Sequence, residues 1–215
     1  MPNWIQPQEG ETIRAAVVDA ERRSRGEIVP VLLSAADDYE VAYWKAATLG
    51  AQLLTLIALA GVQLDVAWSS SVTGLLLPGL AGALLAALAV LAFPPLRPWL
   101  AGREKVEQRI GQRAREAFLA YEVFKTREGT GVLICVFTLE HRVVVLADEG
   151  IHRVAPPGTW DELARETARE MRLDGSSAAL LAAVKRCGEI LAERGLHRRE
   201  DDANELRDEL RGEFR

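Results

Sequence analysis

Two long apolar runs in the middle of the chain constrain its folding more than any other feature. From Ala46 to Leu64 there are 19 residues without a charge, and from Val66 to Leu96 there are 31 more, separated by Asp65 alone. At 1.5 Å per helical residue, Ala46–Leu64 would span about 28 Å and Val72–Phe93 about 33 Å, close to the roughly 30 Å hydrocarbon core of a bilayer. The alternative is a pair of buried helices in a water-soluble core, and the first run does carry Gln52 and Gln63. A soluble helix normally keeps one polar side, however, whereas Thr73–Phe93 is apolar on every face. The pattern predicts a transmembrane helical hairpin over 46–96, with Pro78 near the start of its second helix, where a missing N–H matters least.

The flanks predict an orientation. Arg22, Arg23, Arg25 and Lys45 precede the first run, and Arg97, Arg103, Lys105, Arg109, Arg113 and Arg115 follow the second, while Asp65–Ser71 contains no Lys or Arg. The positive-inside rule then places both termini on the cytoplasmic side of a multi-pass cell (inner) membrane protein, with Trp44, Trp68 and Trp99 near the interfaces. The first 45 residues are charged and amphipathic rather than signal-like, so the hairpin itself is expected to target the chain.

Outside the hairpin the chain is rich in charge. A net charge of -5 gives no general sign of nucleic-acid binding. The basic stretch Arg97–Arg115 is interleaved by Glu104 and Glu107. It reads as a juxtamembrane helix, where each basic residue near anionic headgroups gains roughly 1 kcal/mol. The expected partners are therefore the lipid bilayer and other membrane proteins, not nucleic acid. Cys135 and Cys187 lie in apolar surroundings without a CxxC or Cys/His pattern, which predicts buried reduced thiols rather than a zinc site.

Neither flank can fold alone. Residues 1–45 offer one apolar helical stripe, Ile13, Ala16, Val17 and Ala20, followed by Gly26 and a strand over Ile28–Leu33. A single helix and strand cannot enclose a core. Residues 97–195 supply the missing layers. A helix over Glu104–Phe124 is followed by the continuously apolar strand Val132–Phe137 and an antiparallel neighbour, Val143–Ala147. Thr159–Glu162 has the form of a capping box ahead of a helix, and Asp174–Ser177 begins a last helix that ends before Gly195. The charged tail 196–215 is expected to be a frayed helix or disordered. The predicted architecture is a small α/β sandwich split by the hairpin.

These pieces resemble the TPM-domain family, which includes a thylakoid-lumen protein of photosystem repair and an auxiliary subunit of an animal receptor channel. The resemblance is carried by RSRGEIVPVLL (Arg23–Leu33), GVLICVFTLEHRVVVLADEGI (Gly131–Ile151) and WDEL (Trp160–Leu163), with a weaker echo in DANEL (Asp202–Leu206). The chain resembles most the bacterial membrane branch, in which a transmembrane hairpin interrupts the domain. The resemblance implies a TPM-like three-layer α/β/α sandwich with a mixed sheet, and a role in membrane-protein maintenance. Some family members are credited with divalent-metal binding and acid phosphatase activity. The Asp-Asn-Gly common before the central strand is here replaced by Arg127-Glu128-Gly129-Thr130-Gly131.

The candidate chemistry is confined to strand ends. Asp37 and Asp38, with Glu40 nearby, follow the first strand, and Asp148 and Glu149 follow the third. Ligands of α/β sheets gather outside strand ends, so carboxylates there offer oxygen ligands for Ca²⁺ or Mg²⁺ if the ends are adjacent. The plainer readings are a helix cap at Asp37-Asp38 and a turn at Asp148-Glu149-Gly150. Arg142, with His141, offers an anion contact beside a strand end, or simply a solvated hairpin turn. His152 and His197 are isolated, no catalytic residue is assigned, and no P-loop, GxGxxG or Cys-x5-Arg loop is present. The sequence therefore favours a membrane-anchored binding or scaffolding module over a metal-dependent acid phosphatase.

Overall fold

The computed structural model describes residues 7–64, 71–194, 206 and 209–212. Helix α1 (Pro7–Arg23) leads into β1 (Glu27–Leu33). Four helices follow: α2 (Glu40–Gln63), α3 (Val72–Ala92), α4 (Leu96–Ala101) and α5 (Arg103–Ala120). Strands β2 (Gly131–Phe137) and β3 (Arg142–Ala147) come next, then the short α6 (Glu149–His152), α7 (Thr159–Asp174) and α8 (Ser176–Glu193). The chain divides into two compact units, Met1–Ala36 with Gln108–Arg215 and Asp37–Glu107. The two flanks of the apolar runs thus share one unit.

The larger unit is mixed α/β, built on a sheet of order β1-β2-β3. β1 runs parallel to β2, from Glu27 opposite Gly131 to Leu33 opposite Phe137. β3 runs antiparallel to β2, with Val132 opposite Ala147 and Phe137 opposite Arg142. Every residue of β1 and β2 is buried, which explains why both read as unbroken apolar runs rather than as alternating ones. On one face, Ile28, Leu32, Val132, Ile134 and Val136 cluster with Ile13 and Val17 of α1, Leu163 and Met171 of α7, and Leu180, Val184 and Leu191 of α8. The alternate residues Val29, Val31, Leu133 and Cys135 are equally inaccessible. On that face Arg113 of α5 lies near enough to act electrostatically on the Cys135 thiol. Ile110 and Ala114 form the buried stripe of α5.

Several local expectations change. Thr159 is the first residue of α7 and not its cap: its hydroxyl donates to the Pro156 carbonyl at 2.9 Å, and Gly158, at φ 87°, occupies the cap position. The capping-box spacing is present, but Gly158 has already turned the chain. α5 ends at Ala120 rather than continuing to Phe124, because Glu122 adopts φ 57° and breaks the helical run.

Within the tail read as frayed or disordered, residues 210 and 211 are docked on the outer edge of β1. Arg211 accepts from the Leu32 N–H at 2.9 Å and donates its own N–H to Pro30 at 3.1 Å, while Leu210 is buried. This also accounts for a proline inside a strand. Residue 30 points its backbone groups outward, away from β2, so the N–H that proline lacks is missing from an edge and not from the ladder. The rest of the tail beyond Arg194, apart from Leu206 and Glu209–Gly212, lies outside the described residues, as do His197 and the stretch Asp202–Glu205.

In the smaller unit, α2 and α3 form a helical hairpin, both long and apolar enough to cross a membrane. Only 11% and 17% of their most apolar stretches are buried, where a core helix of a soluble protein would be mostly buried. Leu53, Leu56, Leu80, Leu84 and Leu88 are all exposed. The connector 65–70, with Trp68, lies outside the described residues. Pro78 sits in the second turn of α3 rather than at its start, so the helix accommodates a missing N–H bond in its interior. The helices touch backbone to backbone where Gly50 faces Gly82: a Cβ on Gly82 would stand 2.1 Å from the Gly50 carbonyl oxygen, and a Cβ on Gly50 2.3 Å from that of Gly82. Helices that present Leu to lipid gain little from apolar contact with each other and depend on such close approach. Gly82→Leu should separate α2 from α3 and lower the thermal midpoint of the detergent-solubilised protein, whereas Leu84→Ala, on the exposed surface, should leave it nearly unchanged.

Candidate functional site

The sheet topology decides which candidate residues share an end. Because β1 and β2 are parallel, both exit at the end where β3 begins, and the antiparallel β3 exits at the other. The strand exits followed by Asp37-Asp38 and by Asp148-Glu149 are therefore at opposite ends of the sheet.

At the β1 exit, the β2–β3 turn holds the chain. Thr138 and Leu139 donate their N–H groups to the carbonyls of Leu33 and Ser34, each at 2.9 Å, and the Glu140 carboxylate accepts from the Ala36 N–H at 2.8 Å. His141 makes the turn in the left-handed region, at φ 51°, and Arg142 is half-buried opposite Phe137 as the first residue of β3. Asp37, which opens the smaller unit, folds back on its neighbour and accepts from the Asp38 N–H at 2.9 Å. Tyr39 is the cap residue of α2 and adopts φ 53°. Neither aspartate occupies the cap position.

At the other end, Asp148 caps α6 by accepting from the Glu149 N–H at 2.8 Å, and its own N–H donates to Gly131 at 2.9 Å. The loop before β2 lies directly on this turn. A Cβ on Gly150 would stand 2.1 Å from the Glu128 carbonyl oxygen, so only glycine permits the approach. The loop is itself braced: Thr130 donates its N–H to the Thr126 hydroxyl at 2.8 Å, and Glu27 donates to the Thr130 carbonyl at 3.1 Å. Glu128 then meets Arg25, from the α1–β1 turn, in an ion pair of 2.6 Å. The polar cluster at this end thus joins Arg25 and Glu128 to the neighbourhood of Asp148. Spacing along the chain does not reveal the Arg25–Glu128 pair, since the two come together only when β1 aligns with β2. A hint was present in the sequence, in that each residue stands just ahead of a buried strand.

Among the described residues, no group of three or more His, Cys, Asp or Glu side chains is placed to hold a metal ion. Arg25 already balances the charge of Glu128. A Ca²⁺ ion would require six to eight oxygen ligands. The cysteines offer no nucleophile: burial drives both Cys135 and Cys187 thiols well above the ordinary range, and both are free. Glu116 on α5 is held below the usual carboxylate range, chiefly by the hydrogen bond from Gln112 and then by Arg113, which stabilises the helix surface rather than a reaction.

The other candidate surface is the hairpin. Its base carries Trp44 and Trp99, 75% and 77% exposed, together with exposed Phe93. Lys45 donates to the carbonyls of Leu100 and Ala101 at 2.9 and 3.2 Å, closing the end of α4, and Arg97 lies 5.6 Å over the Tyr43 ring. Aromatic side chains and cations therefore collect at one end of an otherwise apolar pair of helices. Such belts are favoured where apolar solvent gives way to water.

No protein-family model and no curated protein matches this chain. Among solved structures it is similar to the NMR structure of the BA42 protein from the psychrophilic bacterium Bizionia argentinensis, with a TM-score of 0.58 and 16% identity over 99% of this chain and 98% of that one. At that identity the likeness shows a shared fold and nothing of activity.

Two outcomes check the geometry. Gly150→Ala should destabilise the protein by about 1–3 kcal/mol in denaturant unfolding, because the loop backbone must retreat. Neither thiol should react with an aromatic disulfide reagent until the protein unfolds. Since both folded thiols are raised above their unfolded value, their contribution to stability is full below about pH 8.5 and declines as the pH rises beyond it, when the unfolded chain ionises first.

Proposed function

We propose that the chain is a membrane-anchored protein of the TPM-domain type, held in the cell (inner) membrane by α2 and α3, whose larger unit acts as a binding or scaffolding module in the maintenance of other membrane proteins. The observation that carries this reading is the exposed apolar surface of the hairpin. Leaving so many leucines in water would cost about 1.5–3 kcal/mol for each side chain, a penalty that lipid removes. The belt of Trp44, Trp99, Phe93, Lys45 and Arg97 suits the interface, and the absence of Lys and Arg from the connector favours termini on the cytoplasmic side. Membrane crossing by two helices returns the chain to the side it left, which is what a sheet built from both flanks requires.

A binding role is favoured over hydrolysis by the state of the polar groups. Asp148 is engaged as a helix cap, Glu128 is paired with Arg25, and the thiols are buried. The rival reading, a divalent-metal-dependent acid phosphatase, would recruit Asp148 and Glu149 to a Ca²⁺ or Mg²⁺ ion.

Reporter fusions at both termini should read cytoplasmic and one inserted at Ser70 should read the opposite side; termini that disagree would exclude the paired crossing. Purified protein incubated with a generic phosphomonoester should show no turnover with or without Mg²⁺ or Ca²⁺. Metal-dependent turnover that disappears in Asp148→Ala would replace the scaffold with the phosphatase.

A further inference from the structure

The outer edge of β1 is almost closed to strand pairing, and what remains open is occupied by the chain's own C-terminal segment. Three residues of β1 point their backbone groups outward. Ile28 donates its N–H to the Glu21 carboxylate at 2.9 Å, Pro30 has no N–H, and Leu32 donates to the Arg211 carbonyl at 2.9 Å. Arg211 returns its N–H to the Pro30 carbonyl, so that among the described residues the segment makes one parallel bridge, to Val31. The side chains on either side of that bridge are seated specifically. Leu210 enters the apolar core with 5% of its surface exposed. The Arg211 guanidinium lies 4.9 Å over the Tyr121 ring and donates to the Tyr121 carbonyl at 3.4 Å.

An apolar pocket, a paired main-chain donor and acceptor, and an aromatic shelf for a cation together constitute a recognition site for an extended Leu-Arg segment. We propose that this edge of β1 binds such a segment of a partner protein, and that Leu210-Arg211 is a resident latch that occupies the site until displaced. The inference rests on the reading of the larger unit as a binding module, and it names the chemistry of the partner. Glu21 and Pro30 block pairing on the N-terminal side of the bridge, so the site favours a short motif and resists the open-ended strand addition that exposed edges invite. A tethered latch competes at an effective concentration on the order of millimolar, which keeps the site shut against weak ligands.

The test uses the full chain in detergent with a specific protease site inserted between Glu200 and Asp201, so that folding precedes release of the latch. A labelled peptide corresponding to residues 205–215 (ELRDELRGEFR) is then added before or after cleavage and dilution. The peptide should bind the cleaved protein more tightly than the uncleaved one by at least roughly tenfold. Versions of the peptide with Leu210→Asp or Arg211→Glu should lose that binding. In uncleaved protein, Leu210→Asp should raise peptide binding while near-ultraviolet circular dichroism reports an intact core. Equal binding before and after cleavage, no binding to cleaved protein that retains its core signal, or equal binding of the substituted peptides would each overturn the proposal. None of these readouts depends on phosphomonoester turnover, so the latch and the scaffold reading fail separately.

Discussion

The parallel pairing of β1 with β2 is the interaction on which the rest of the larger unit depends. β1 comes from the first flank of the apolar hairpin and β2 from the second, and only their alignment, Glu27 with Gly131 through Leu33 with Phe137, makes one core from two segments that cannot fold separately. α1 and α8 pack on the same face of that sheet, so the first and last helices of the chain both rely on it. A parallel pair requires a long crossover connection, and here the crossover includes the hairpin. The hairpin is consequently more than a tether beside a domain; it is part of the connection that lets the domain close.

The same alignment arranges the chemistry. Setting β1 parallel and β3 antiparallel to β2 puts the exits of β1 and β3 at different ends of the sheet. It also brings Arg25 and Glu128 into an ion pair that spans two loops. The sheet end around Asp148 is organised by backbone economy: Gly150 allows a loop to lie on a helix start, Asp148 satisfies that start, and Thr126 and Thr130 satisfy the loop. These groups find their partners within the turn and the loop that lies on it, as polar groups removed from water generally do. At the outer edge of β1 the same rule is met by three different devices: a glutamate, a proline and a returning segment of chain.

Much of the architecture was legible before any coordinates. The apolar strands Ile28–Leu33, Val132–Phe137 and Val143–Ala147 were each placed to within a residue, because continuous burial leaves an unbroken apolar run. Of the stripe Ile13, Ala16, Val17 and Ala20, all but the half-buried Ala16 are fully buried. Local signals were misleading where a neighbouring residue had already settled the backbone. Gly158 displaced Thr159 from the cap position, and Tyr39 did the same to Asp37 and Asp38. Within the tail, residues 210 and 211 depart from the expectation of a frayed or disordered stretch. A charge-rich stretch suggests disorder, yet Leu210 and Arg211 need only one open position on β1 to become ordered.

By itself, then, the sequence determined the features that depend on periodicity and composition: two long apolar helices, three short strands, the amphipathic helices and the buried thiols. These follow from transfer free energies that act on each segment independently of its neighbours. The tertiary structure alone decided which segments meet. It set β1 parallel to β2, Gly50 against Gly82, Arg25 against Glu128 and Arg211 over Tyr121, because contacts between residues distant in the chain are chosen by packing and hydrogen-bond satisfaction, and no local pattern records them.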